Sequence, residues 1–181
     1  MIVFDMDGTL TQSNIDYATM RAKTLIPGSA DGSSPCPLPS STGLCAHRAQ
    51  VMESWDSGER IKQSMDTILE LEAQASAGLQ AMPGLLELLA FLRGSGARVG
   101  LVTRNTDASL NAFFAAIGEE WRSVFDILLT RDNFPFVKPD KRCLLHFAEA
   151  WGVQPWELLM VGDSVEDIET ANAAGTASAL I

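Results

Sequence analysis

Two aspartates stand one residue apart near the start of the chain, in Ile2-Val3-Phe4-Asp5-Met6-Asp7-Gly8-Thr9-Leu10. Two acids this close repel one another and are stable together only with a cation or a shared proton. Following a strand, both leave one side of the extended chain while Met6 faces the other. Such a pair can divide labour. Asp5 can attack phosphorus, and Asp7 can protonate the leaving oxygen and later take a proton from water. Acid-x-acid is also a common strand-to-loop turn ahead of a helix, so the pair on its own does not choose between chemistry and a simple cap.

Phosphoryl transfer asks for more: a cation, and donors that hold the phosphoryl oxygens as charge moves. Gly162-Asp163-Ser164-Val165-Glu166-Asp167 supplies carboxylates four apart at a helix start, where Asp163 and Asp167 can sit over one spot. Oxygen ligands with no His or Cys nearby suit Mg2+ better than zinc. Thr103 offers a hydroxyl, and the backbone amides of Arg104 and Asn105 can cradle a phosphate just before a helix. Lys138 adds a compact positive charge, with Pro139 fixing the chain beside it.

These residues need elements to carry them. Ile2-Val3-Phe4 is an unbroken apolar run, as in a strand buried on both faces of a parallel sheet, and Gly8 permits the tight turn after it. Further strands are predicted over 98–103, 125–130, 158–161 and 177–181. Between them, helices are predicted from Pro83-Gly84 with Leu85, Leu88, Leu89 and Leu92 buried, and from a Thr106 cap through Ile117. Two more run from Pro139 to Gly152 and from Val165 to Ala174. Strands alternating with helices imply right-handed crossovers and an α/β doubly wound parallel sheet, whose ligands bind outside the carboxyl ends of the strands. Asp5, Asp7, Thr103, Lys138 and Asp163 all fall at such ends.

Residues 12–81 read differently. Helices are predicted over 15–26 and 46–55, and from Asp56, which forms a capping box with Glu59. A Ser-, Pro- and Gly-rich loop covers 28–43. The domain reading is therefore a core of 1–11 with 82–181 and a helical insert of 12–81.

At 181 residues, 46% hydrophobic and 20% charged, the chain has material for one core with a subdomain. A net charge of −10 argues against nucleic acid as a partner. It would also repel an anionic substrate unless a metal and a few bases reverse the local sign. Cys36, Cys45 and Cys143 form no CxxC and read as reduced thiols, with a Cys36–Cys45 pairing left open. No apolar run is long enough to span a membrane and no signal peptide precedes the first strand, so the expectation is a soluble intracellular protein. That means the cytoplasm, or an organelle if a leader has been removed. Trp55, Trp121, Trp151 and Trp156 are expected in packing, and His47 and His146 as structural or exposed. Arg21, Arg48, Arg60 and Lys62 are expected as surface charges, with contact to a second anionic group of a substrate as the sharper alternative.

Asp5-Met6-Asp7-Gly8-Thr9, Leu101-Val102-Thr103-Arg104-Asn105, Val137-Lys138-Pro139-Asp140, and Gly162-Asp163-Ser164 with Asp167 together resemble the four ordered motifs of the haloacid dehalogenase-like hydrolase superfamily. The resemblance implies a Rossmann-like core with a small inserted α-helical cap of the C1 type. It implies Asp5 as nucleophile, Asp7 as acid and base, and Gly8, Thr9, Thr103, Arg104, Asn105 and Lys138 around the phosphoryl group. Mg2+ would be held by Asp5, the backbone carbonyl of Asp7 and Asp163, with Asp167 as supporting acid. The acid at position 7 argues against dehalogenation, since halide leaves without a proton, and Met6 and the chain length argue against a transport ATPase. The cap is similar to those of phosphoglycolate-phosphatase-like and β-phosphoglucomutase-like members. The expectation is a Mg2+-dependent phosphomonoesterase, monomer or homodimer, acting on a small phosphorylated metabolite through an aspartyl-phosphate. A sugar phosphomutase and a catalytically silent binding module of the same fold are the alternatives. Family members usually add a helix after the fifth strand, where this chain stops, as a truncated product would.

Overall fold

The computed structural model describes residues 1–12, 62, 66 and 78–181. Apart from Lys62 and Asp66, which are helical and exposed as expected for the helix that starts at Asp56, the insert's helices and loop, with Cys36, Cys45, His47, Trp55, Arg21, Arg48 and Arg60, lie outside the described residues. The chain divides into two compact units, Met1–Ser13 with Leu79–Ile181, and Asn14–Gly78. The first carries everything that follows.

In that unit the elements run β1 (Ile2–Phe4), α1 (Leu85–Ser95), β2 (Val99–Val102), α2 (Asp107–Ile117), β3 (Ile127–Leu129), α3 (Arg142–Trp151), β4 (Leu159–Gly162), α4 (Val165–Ala174) and β5 (Ala177–Leu180). Every strand pair is parallel, and the sheet order is β3-β2-β1-β4-β5. Order reverses between β1 and β4, and parallel sheets of this kind bind ligands beyond the strand ends at such a switch point.

Alternation along the strands splits the core in two. Phe4, Val99 and Leu101 join Leu85, Leu89, Leu92, Leu110, Phe113 and Phe114 of α1 and α2 on one face. Val3, Val102 and Met160 join Cys143, Leu144, Phe147 and Ala171 of α3 and α4 on the other. A sheet covered on both sides buries its strands completely, which is why β1 and β2 lack a polar face. Gly100 is where α3 comes closest, since a Cβ there would strike the Phe147 ring.

Several expectations shift. The strand at 125–130 shrinks to Ile127–Leu129, because Asp126 serves β2 with its side chain, accepting the Val99 N–H at 2.9 Å. Leu88 lies at the margin of the α1 apolar stripe and is 38% exposed, not buried. Trp156 is 70% exposed, on a one-turn 3-10 helix over Pro155–Glu157 that the periodicity does not announce. A second 3-10 turn, Glu119–Val124, bridges α2 and β3. The helix expected from Pro139 begins at Arg142, because residues 137–140 form a turn in which the Asp140 N–H meets the Val137 carbonyl at 2.9 Å. Among the described residues, no helix is long and apolar enough to cross a membrane.

Candidate active site

β1 stops at Phe4, and the Asp5 N–H donates to the Val161 carbonyl of β4 at 2.9 Å, so Asp5 sits at the switch point itself. The chain does not stay extended beyond it. The Met6 carbonyl accepts the N–H groups of Thr9, Leu10 and Thr11 at 3.3, 2.8 and 2.9 Å, which wraps residues 6–11 into a tight turn. Asp7 reaches the site on this turn, not by strand alternation. Gly8 has φ +80°, and a Cβ there would run into the Asp163 carboxylate. Only glycine lets the β1 loop and the β4 loop approach so closely.

Lys138 arrives in the loop between β3 and α3 and is 5% exposed. Its ammonium contacts Asp5 Oδ1 and lies 2.6 Å from Asp167 Oδ1. Among the described residues, Asp5 Oδ2 is met only by the Thr9 hydroxyl, at 3.5 Å, and is the freer oxygen. Asp167 is used on both sides. Its Oδ2 accepts from the Ser164 hydroxyl at 2.6 Å and the Ser164 N–H at 3.1 Å, completing the capping box that starts α4.

Burial governs the electrostatics. It pushes the Asp5 carboxyl up to about 6, with Asp167 and Asp7 adding to the rise against the pull of Lys138. Burial would pull Lys138 down, yet Asp5 and Asp167 outweigh it and hold the ammonium above its usual range. Asp7 is raised by burial against the hydrogen bonds from Asn105 and Thr11. Asp163 is raised by partial desolvation and by the Asp167 charge. Burial above all makes Asp5, Asp7 and Asp163 resist ionisation, and the charge of neighbouring acids adds to it at Asp5 and Asp163.

Asp7 is held by neutral donors. The Asn105 side-chain amide donates to Oδ2 at 2.5 Å and the Thr11 hydroxyl to Oδ1 at 3.3 Å. The Asn105 N–H is spent on Thr103 Oγ1 at 3.1 Å, which leaves the Thr103 hydroxyl hydrogen available to another acceptor. Arg104 is ion-paired with the buried Glu166 of α4. Thr11, the side-chain role of Asn105 and the Arg104–Glu166 pair were not read from the sequence. One signal for Thr11 is its place four residues after Asp7 at a buried position; Glu166 offers none, since acids in a first helical turn are ordinary.

The oxygens of Asp5, Asp163 and Asp167 lie within 4.8 Å of one another, so a cation can be shared among them. All are hard oxygen donors, which suits Mg2+, an ion that keeps several of its waters and needs few protein ligands. The atoms least engaged by protein donors are Asp5 Oδ2 and the exposed Asp163 carboxylate. The residue types therefore fit the ion.

The haloacid dehalogenase-like hydrolase profile matches residues 1–175. The chain belongs to the haloacid dehalogenase-like hydrolases. A domain-containing protein of that family from Arabidopsis thaliana is 34% identical over 99% of this chain, which spans 69% of the plant protein. A phosphoglycolate phosphatase of Nitrosococcus oceani is 32% identical over 96% of this chain and 80% of its own length. Among solved structures, a hydrolase from Pseudomonas syringae superposes with a TM-score of 0.72 at 21% identity, covering 98% of this chain and 82% of that one. The last likeness speaks for the hydrolase fold alone.

Proposed function

We propose that this hydrolase is a Mg2+-dependent phosphomonoesterase for a small phosphorylated metabolite. The observation that carries the reading is the buried Asp5–Lys138–Asp167 contact with Asp7 clamped beside it at the switch point. Family membership and the relatives named phosphoglycolate phosphatase support it. Asp5 Oδ2 attacks phosphorus, the bond to the leaving alcohol oxygen breaks, and Asp7 supplies the proton that oxygen needs. Water then attacks the aspartyl-phosphate, Asp7 takes its proton, and free phosphate and the Asp5 carboxylate are regenerated. Lys138 and the Thr103 hydroxyl hold phosphoryl oxygens while charge moves, together with Thr9 and the backbone at Arg104, whereas the expected Gly8 and Asn105 amides are already committed to the Thr11 carbonyl and Thr103 Oγ1. Asp5, Asp163 and the Asp7 carbonyl would hold Mg2+, with Asp167 in support, and the ion would neutralise charge that the acids otherwise repel. Residues 12–81 are proposed as the cap that selects the substrate.

Phosphate release from a panel of phosphomonoesters that includes 2-phosphoglycolate tests this, with Mg2+ and then with chelator. Release that depends on Mg2+ is the expected result. A folded protein that releases phosphate from none of them would overturn the proposal.

A further inference from the structure

We propose that Asn105 and Thr11 are positioning residues, each fixing one oxygen of Asp7 so that its carboxyl group is aimed at the oxygen that exchanges the proton. The inference rests on reading Asp7 as the acid and base. A carboxyl group turns readily about its last torsion, so the side chain's own rotamer does not aim it. Here the aim comes from two opposed donors, the Asn105 amide on Oδ2 at 2.5 Å and the Thr11 hydroxyl on Oδ1 at 3.3 Å.

Both props are themselves anchored. The Asn105 N–H is bound to Thr103 Oγ1 at 3.1 Å, and its carbonyl accepts the Arg131 N–H at 3.1 Å, so the loops after β2 and β3 steady it together. Thr11 is buried, and its carbonyl accepts the Gly8 N–H at 2.8 Å. The Thr11 hydroxyl has a second acceptor in reach, the Met6 carbonyl at 3.2 Å. That oxygen already takes three backbone N–H groups, and a carboxylate is the stronger acceptor, so the hydroxyl serves Asp7. The side-chain amide of Asn105 likewise gives a hydrogen to Asp7.

Positioning of this kind shows in turnover and not in substrate binding. Asn105→Ala and Thr11→Val in the full chain are expected to lower kcat on an alkyl phosphate by about 10- to 100-fold, with KM changing less than about twofold. Thr11→Ser, which keeps the hydroxyl, should recover most of the loss, and melting curves confirm that each variant is folded. On p-nitrophenyl phosphate, whose phenolate leaves without a proton, the pre-steady-state burst of both variants should stay near the parent rate. In an Asp7→Asn background, Asn105→Ala should cost less than about twofold more, because the group it aims is gone. The same factor in both backgrounds, a loss carried by KM, or equal damage with both leaving groups would overturn the positioning role. An Asp7→Asn protein with undiminished kcat would instead remove the assignment of Asp7, and the inference with it.

Discussion

The loops after β1 and β4 lie on adjacent strands; the first carries Asp5 and Asp7, the second with the first turn of α4 carries Asp163, Glu166 and Asp167, and they hold them in different ways. In the β1 loop the carboxylates depend on distant chain: Asp5 on Lys138, and Asp7 on Asn105. Beyond β4, Asp167 is held partly by its own neighbour Ser164, within one helical turn, and Asp163 stands exposed, while Glu166 alone of the three takes its ion-pair partner, Arg104, wholly from elsewhere. Acids with local partners stabilise the helix they begin. Buried acids whose partners come from elsewhere are destabilising on their own and retain the reactivity that burial confers.

Replacing Asp5 with Asn tests the contrast where it is greatest. Turnover should fall by at least about 10^4-fold, since an amide in place of the proposed nucleophile cannot form the aspartyl-phosphate. Stability should move the other way. The folded Asp5 holds its proton up to about pH 6 while the unfolded chain releases it near 3.8, so the folded state binds more protons across that window. Its contribution to stability is therefore full below about pH 4 and is lost as pH rises through about 6. Metal-free denaturation curves across that range should show the variant free of this loss and no less stable than the parent at neutral pH.

Lys138→Met tests the same site from the cation's side. It leaves Asp5 and Asp167 buried without their shared ammonium, at a cost of about 3–5 kcal/mol in chemical denaturation. Added Mg2+ should return part of that loss. The β4 loop gives the smallest response. Ser164→Ala removes the α4 cap hydroxyl and should cost about 1 kcal/mol, with kcat changed only a few-fold. If Ser164→Ala proved as damaging as Lys138→Met, the distinction between local and distant partners would fail.

Much of this arrangement is legible before any coordinates. α2 begins after its Thr106 cap and ends before Gly118, and α4 runs from Val165 to Ala174, because caps and glycine stops are local signals. Positions 5, 103, 138 and 163 fall beyond strand ends because apolar runs end where the sheet does. The sequence is silent where partners are remote. Nothing near Asp7 announces that an amide 98 residues away will bind it, nor that Arg104 will pair with Glu166. The turn after β1 is announced by Gly8, but its start at Met6, which puts Asp7 inside it, is hidden, since an extended chain and a turn both bring two acids to the same place. Leu88 and Trp156 show the opposite limit: apolar type sets a preference for burial, but the angle around a helix and the room beside a short turn decide it.

The contact between Asp5 and Lys138 joins residues 133 positions apart, and β1 is flanked by strands that begin at Val99 and Leu159. On the ribosome, the first strand emerges long before either neighbour has been translated, and its acids travel in water as ordinary, unreactive aspartates. Asp5, the proposed nucleophile, meets Lys138 and Asp167 only when the last crossover has docked. On the proposed mechanism a nascent or partly degraded chain would be silent, and activity would report that the whole sheet has closed.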